Sequence, residues 1–546
     1  MLLGAGSLTL AACNDFLDEL PDNRTELDTP DKINRLLVSA YPSRSFTRMC
    51  EIASDNCDDM GANNPNTSLL LEHNSYWMDM NEAENDSNKN TWQAYYSAIA
   101  AANTALEAIE KQGTPKELLP AKAEALLCRA YSHFCLTMLY CLPYHPEKSG
   151  EYLGVPYMEA PETTLNPVYH RDNLKEVYEK IDRDIEEALP LVSDANYAVP
   201  KYHFNRSAAY AFATRFNLYY LKWEKVVEYA SEVLGSAPST VMRDWAAVKQ
   251  LAWDGSVRTL DYISVGHSFN LLMIPMVTGN GSLFNAWSNS GARFTHNYRV
   301  AKRETYRAKR PMGGPWKDNC IEKVYQHPPF IWQDNDVNKI YMPKWPNQWE
   351  VTDPVTGVGI GRSTMVAFTT NETVLSRAEA YVHLKEYDKA VADLNAWIGS
   401  FYLVGQNGIE SLTRERIAEV YGDPSSDRYI AEYPALEPTS RKPLHPHGFT
   451  VEAGEQEHLI QTTLFCRRIE TIADGLRWGD IKRYGIVIDR FDDSAYNDDN
   501  TTGFTVAATL GEKDLRRALQ LPQEVITAGL EANPRNENRP DHPFCQ

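Results

Sequence analysis

The chain has 546 residues, enough for several domains or one elaborated domain, and its 43% hydrophobic, 11% aromatic and 23% charged residues are those of a folded globular protein, not a disordered one. With 54 Lys+Arg against 74 Asp+Glu the net charge is -20, which repels phosphate backbones and excludes nucleic acid as an expected partner. Nine cysteines without a CxxC pair exclude a structural zinc knuckle.

At the start, Leu2, Leu3, Leu8 and Leu10 alternate with small residues and end in Leu10-Ala11-Ala12-Cys13. This stretch is shorter than the roughly 20 apolar residues that span a bilayer. Small residues before a cysteine suit a signal-peptidase groove, and the segment resembles the lipobox of bacterial lipoproteins. That resemblance implies a targeting segment over residues 1–13, with Cys13 as the acylated lipid anchor. Further on, Cys50 and Cys57 fit either a local disulfide or two unpaired small hydrophobes.

The next elements are helical hairpins. Trp92, Tyr95, Ile99, Ala102, Leu106 and Ile109 recur at helical spacing, Gly113-Thr114-Pro115 breaks the chain, and Ala121, Ala125, Ala130, Phe134 and Leu139 continue a second helix to about Leu142. A second pair is predicted over Asn173 to Pro190 and Arg206 to Leu234. A third runs from Glu372 to Leu384 and from Glu386 to Asn395, and a last helix covers about Leu464 to Tyr484. Small residues alternating with large ones let such helices approach closely, as tetratricopeptide pairs do. One hairpin cannot bury its own face, so the dispersed units are expected to share a core. The predicted fold is therefore mainly α: tetratricopeptide-like hairpins forming an α-α superhelix, with long loop-rich inserts carrying short helices and strands. The scaffold is placed at about 91–142, 172–236, 370–400 and 462–488, in a single domain over 14–546. Inserts lie at about 55–90, 237–364 and 401–461, and seven of the twelve tryptophans fall in the central one: Trp245, Trp253, Trp287, Trp316, Trp332, Trp345 and Trp349.

Several segments together resemble the SusD/RagB family of outer-membrane nutrient-binding lipoproteins. They are Cys13-Asn14-Asp15-Phe16-Leu17-Asp18, the Trp92 to Asn103 helix, Ala123-Glu124-Ala125-Leu126 through Arg129-Ala130, and Arg377-Ala378-Glu379-Ala380-Tyr381. The sharpest is Arg467-Arg468-Ile469-Glu470 through Asp474-Gly475-Leu476-Arg477-Trp478-Gly479-Asp480 to Gly485, followed by Leu521-Pro522 and Asn533-Pro534. The resemblance implies an outer-membrane lipoprotein facing the cell exterior. Such a protein captures glycans and delivers them to a SusC-like TonB-dependent transporter, without catalysis and without a cofactor.

Arg477 and Asp480 lie three apart, close enough to pair on one helix face, while Glu470 precedes Asp474 by one turn. Carboxylates on successive turns more often tie a helix to its neighbours than act as acid and base, so these read as scaffold. No HExxH, P-loop, GxSxG elbow or Rossmann glycine pattern occurs. The acidic Asp489 to Asp499 stretch lacks EF-hand spacing and reads as a solvated loop before a structural calcium site. Two carboxylates among 74 acids suffice for a glycosidase, so a surface hydrolase stays open beside glycan capture, as does peptide or glycopeptide cargo.

Sugars offer apolar ring faces and a rim of hydroxyls, which exposed aromatics and amide or charged side chains can read. The resemblance implies a ligand groove formed by loops before the first repeat and in the central insert. The expected ligand-binding residues are Tyr76, Trp77, Trp287, Asn289, Trp316 and Trp332.

Overall fold

The computed structural model describes residues 26–162, 168–195, 197–252, 255–285, 292–314, 321–326, 330–334, 337–341, 344–422, 440–492 and 505–535. Its body is a stack of antiparallel helices. Asn88–Lys111 packs on Leu119–Tyr140, which carries Leu174–Ala188 on its other side; Arg206–Tyr219 and Trp223–Leu234 then lead to Thr370–His383, Tyr387–Phe401 and Glu455–Glu470. Helix starts are set locally. Ser87, Asn173, Asn205 and Thr369 each accept a backbone N–H in the first turn of the helix that follows. The Ala121, Ala125 and Ala130 stripe is buried with Phe134 and Leu139, so the helices meet at close range as their sequence requires.

Two hairpins close with the same turn. Leu221 at φ 62 and Lys385 at φ 61 both enter the left-handed region. The next residue returns its N–H to the preceding helix, Lys222 to Asn217 O at 3.0 Å and Glu386 to Tyr381 O at 2.8 Å. The residues after each turn match in kind, Trp223-Glu224-Lys225-Val226 against Tyr387-Asp388-Lys389-Ala390. The predicted Arg206 to Leu234 helix is accordingly two helices, because this turn needs no glycine or proline to announce it. The predicted Leu464 to Tyr484 helix is likewise divided, into Glu455–Glu470 and Arg477–Arg483, at a turn where Ala473 and Gly475 have φ 66 and 75.

That turn is packed from below. Glu51 accepts the N–H of Ala473 at 2.8 Å and of Gly475 at 3.0 Å, and burial pushes its carboxyl up to about 7. A Cβ on Gly475 would lie 2.9 Å from Thr47 Cα. Gly475→Ala therefore combines left-handed strain with a backbone clash, and is expected to lower the urea unfolding midpoint by the equivalent of about 2–3 kcal/mol.

Short strands join the inserts to this body. Asp58–Asp59 pairs with Phe294–Thr295 on one side and Ile488–Asp492 on the other, and Thr505–Leu510 completes that sheet. A second sheet places Val358–Thr369 between Asn270–Val277 and Gln348–Asp353. Its central strand runs directly into the third hairpin, with Thr369 as the cap of Thr370–His383. Much of the 55–90 stretch, expected as a ligand-binding insert, is part of the core: Asp55, Asp58 and Asp59 are buried against Arg477, Arg299 and Arg293. Cys50 and Cys57 are separate buried thiols. Among the described residues, no helix is long and apolar enough to cross a membrane.

Candidate functional site

The residues of the 467–485 segment are buried ties. Arg477 does not pair with Asp480 but with Asp55, through two bonds of 2.8 Å. Asp480 instead receives Arg467 at 3.1 and 3.2 Å and Arg483 at 2.6 Å, and Arg483 also reaches Glu379 at 2.6 Å. Burial alone would raise Asp480 and Glu379, but the two guanidinium groups outweigh it and hold both carboxyls below their ordinary values. Glu470 accepts from Trp397 Nε1 at 2.7 Å, and Asp474 from Lys344 Nζ at 2.7 Å; burial pushes both carboxyls up. These acids hold the scaffold together; none of them faces a cleft as a pair.

The same segment anchors an outward-reaching arm. Lys344 binds Asp474, Trp345 Nε1 donates to Ala473 O at 2.8 Å, and Ser363 Oγ donates to Pro346 O at 2.7 Å. From this root the chain leaves as Gln348–Asp353, turns, and returns as the first half of Val358–Thr369. The turn is fixed by Asp353, whose side chain accepts from Val355 N at 2.9 Å and Thr356 Oγ1 at 2.6 Å, while Gly357 has φ 70. The strand is buried from Ala367 inward but open beyond Arg362, and the arm exposes Val351, Val355 and Val358.

Trp349 stands on this open part. Its side chain is 63% exposed, whereas the other tryptophans whose side chains are described are buried or partly buried. It pairs across the ladder with Gly361, next to Gly359. A Cβ added to Gly359 would lie 2.6 Å from the indole Nε1 and 2.8 Å from Cε2, so the ring rests against glycine backbone. One side of the indole is thus supported and the other faces solvent. Asn347, two residues back on the same strand edge, is exposed beside it, while Gln348, Glu350 and Arg362, the last two an ion pair, are exposed on the opposite face of the arm. A flat apolar surface with an amide beside it can stack a sugar ring and hydrogen-bond a hydroxyl.

Tyr76 and Trp77, expected here as ligand contacts, are instead in the core. Tyr76 Oη donates to Asp59 Oδ2 at 2.6 Å with its ring edge-on to Phe294. Trp77, 1% exposed, donates from Nε1 to Ala53 O at 2.8 Å beside Arg490 and Arg516. The helix Leu69–Ser75 folds this segment under the first sheet, which leaves neither ring a free face. Trp287, Asn289, Trp316 and the anchor residue Cys13 lie outside the described residues, and Trp332 is on strand Phe330–Asp334, opposite Lys339, with its side chain outside the description. Sequence reasoning passed over Trp349. The alternation of Gln348-Trp349-Glu350-Val351 facing Val358-Gly359-Ile360-Gly361 was the available signal, since it sets an aromatic against residues without side chains. Among the described residues, no group of three or more His, Cys, Asp or Glu is arranged to hold a metal.

Comparison with known proteins shows what this stack of helical hairpins, with its exposed aromatic on an insert, is similar to. Residues 15–218 match the SusD-like family described as "Starch-binding associating with outer membrane". A SusD superfamily protein from Bacteroides thetaiotaomicron VPI-5482 superposes with TM-score 0.58 at 17% identity, covering 92% of this chain and 98% of that one. A SusD-like protein from Bacteroides fragilis NCTC 9343 gives 0.59 at 15% identity over 95% and 99%, and a SusD-like carbohydrate binding protein from Bacteroides vulgatus ATCC 8482 gives 0.56 at 15% over 91% and 96%. No curated protein matches the sequence. The chain is similar in fold to SusD superfamily structures over more than nine-tenths of its length, and residues 15–218 match the sequence model of the SusD-like family.

Proposed function

We propose that this protein binds carbohydrate at the outer face of the outer membrane, held there by a lipid on Cys13, and passes the captured glycan to a SusC-like TonB-dependent transporter without transforming it. The observation that carries this reading is the Trp349 platform, an indole backed by glycine and open on its outer side. The family description and the carbohydrate-binding protein among the structural neighbours support the ligand class. Capture beside a transporter raises the local ligand concentration without chemistry on the substrate.

Calorimetric titration against a panel of starch, cellulose, mannan and galactan oligosaccharides tests the reading. Trp349→Ala is expected to weaken binding at least tenfold, about 1.4 kcal/mol, with the unfolding midpoint unchanged. Trp349→Phe should keep part of the affinity. Undiminished binding by the alanine variant would remove Trp349 from the site, and a wild type that binds nothing on the panel would remove the function. Labelled palmitate incorporated by the wild type and not by Cys13→Ala, with transporter co-purifying from detergent extracts, checks the anchor and the partner.

A further inference from the structure

We propose a second saccharide-binding site, in a groove of about 830 Å³ along the exposed side of helix Asn88–Lys111. The proposal takes its ligand class from the carbohydrate reading but its location from independent geometry. The volume falls within the range of small-ligand sites. Along the floor, Ser97, Ala100 and Thr104 recur at helical spacing and are small, which leaves the groove open above them.

Aromatic rings line the same groove. Trp92 lies beneath Tyr96 with centroids 4.8 Å apart, and Tyr96 and Tyr169 are each partly exposed. Gln93 and Glu162, both exposed, add an amide and a carboxylate at the edge. Among the described residues that line the groove there is no lysine, arginine or histidine, and Glu524 is already paired with Lys89 at 3.0 Å. An anionic ligand would therefore meet the Glu162 carboxylate at the edge, the Lys89 charge being already engaged by Glu524. Aromatic faces, hydroxyl and amide groups and the lack of positive charge together fit a short stretch of neutral sugar units.

The walls are fixed before any ligand arrives. Tyr96 Oη donates to Pro156 O at 2.9 Å, and Asn103 Nδ2 donates to Met158 O at 2.9 Å, which fasten the 156–160 loop along the helix. Arg171 reaches Glu531 O at 3.1 Å and Asn533 Oδ1 at 2.8 Å, tying the segment after Tyr169 to the C-terminal wall that carries Val525, Ala528 and Leu530. A preformed groove costs little ordering on binding, which favours ligands too small to reorganise a loop.

Met158 lines the groove, so its methyl resonance reports on this site and not on Trp349. The experiment records ¹³C-methyl methionine spectra of the full chain, with Met158 assigned through Met158→Leu, during titration with maltoheptaose, cellohexaose, mannohexaose and oligogalacturonate. At least one neutral oligosaccharide should shift Met158 equally in wild type and Trp349→Ala, and oligogalacturonate should not. Ser97→Trp, at an exposed position, fills the groove; it should weaken the Met158 response at least tenfold while leaving the unfolding midpoint and the Trp349 site intact. An unmoved Met158 in a protein that binds the same sugar through Trp349 would overturn this site alone. A Met158 shift produced by a proline-rich peptide or by phospholipid vesicles, and by none of the sugars, would overturn its ligand class. No sugar binding by calorimetry or by Met158 would overturn the carbohydrate reading and this proposal together.

Discussion

Arg467→Ala is expected to destabilise the protein by about 3–5 kcal/mol, the cost of leaving a buried charge cluster without one of its cations. Arg467 is fully buried and contacts Asp480 at 3.1 and 3.2 Å, Ser376 Oγ at 2.9 Å and Glu379 at 3.5 Å. Its removal leaves Arg483 alone against two carboxylates that water cannot reach. Urea unfolding followed by tryptophan fluorescence measures the loss. Adding Glu379→Gln to Arg467→Ala should restore part of it, because one cation then faces one anion. Arg35→Ala, which removes an exposed pair with Asp31 on a surface helix, should leave the midpoint where it was. Equal effects from the two arginine variants would show that the buried cluster is no stronger than surface charge.

Acid should destabilise the fold before the arginine-held carboxylates titrate. His133 lies stacked on Tyr157 at 3.8 Å, its Nδ1 2.9 Å from Arg129 O and its Nε2 3.1 Å from the N–H of Met158. Nδ1 donates and Nε2 accepts, so a second proton would set Nε2–H against the Met158 amide. Burial holds His133 and His296 down to about 3. Because these folded values lie below the ordinary histidine value near 6.5, the stabilisation is complete above that pH and drains away as the pH falls toward 4. Each such imidazole contributes roughly 1.4 kcal/mol per pH unit across that window. His383, held down to about 4, adds in the same direction, and Glu51, whose buried carboxyl is raised to about 7, opposes them by taking up its proton first in the folded state. The carboxyls of Asp480 and Glu379, held low by arginine, add a separate loss that begins only below about pH 4. Unfolding free energies between pH 8 and pH 4 test this, and His133→Gln should take about 1.4 kcal/mol per pH unit off the wild-type slope between pH 6 and pH 4. A His133→Gln profile parallel to that of the wild type would contradict the buried neutral imidazole.

The hairpins were readable because their determinants are local. Gly113-Thr114-Pro115 ends the first helix where the sequence places the break, with Gly113 and Thr114 at φ 76 and 50. The turns at Leu221 and Lys385 were harder to read, since nonglycine residues occupy their left-handed positions and only the repeated pattern after them marks the boundary. The 467–485 segment could be recognised as a unit, yet its partners could not. Spacing suggests Arg477 with Asp480, whereas the fold gives Arg477 to Asp55 and Asp480 to Arg467 and Arg483. A bidentate partner more than 400 residues away leaves no periodic trace.

The exposure of the tryptophans followed the same rule. Trp77 and Trp349 both stand among polar neighbours in the sequence, and composition treats them alike. The first is folded beneath a sheet assembled from residues near 58, 294 and 490, and the second rides on an edge strand over glycine. The mainly helical scaffold and its hairpin rhythm could be read residue by residue along the chain, because helical period, caps and breaks act within a few residues. Which aromatic rings reach solvent, and which charges meet inside, was decided only by the tertiary structure, because exposure and ion pairing depend on chain segments hundreds of residues apart.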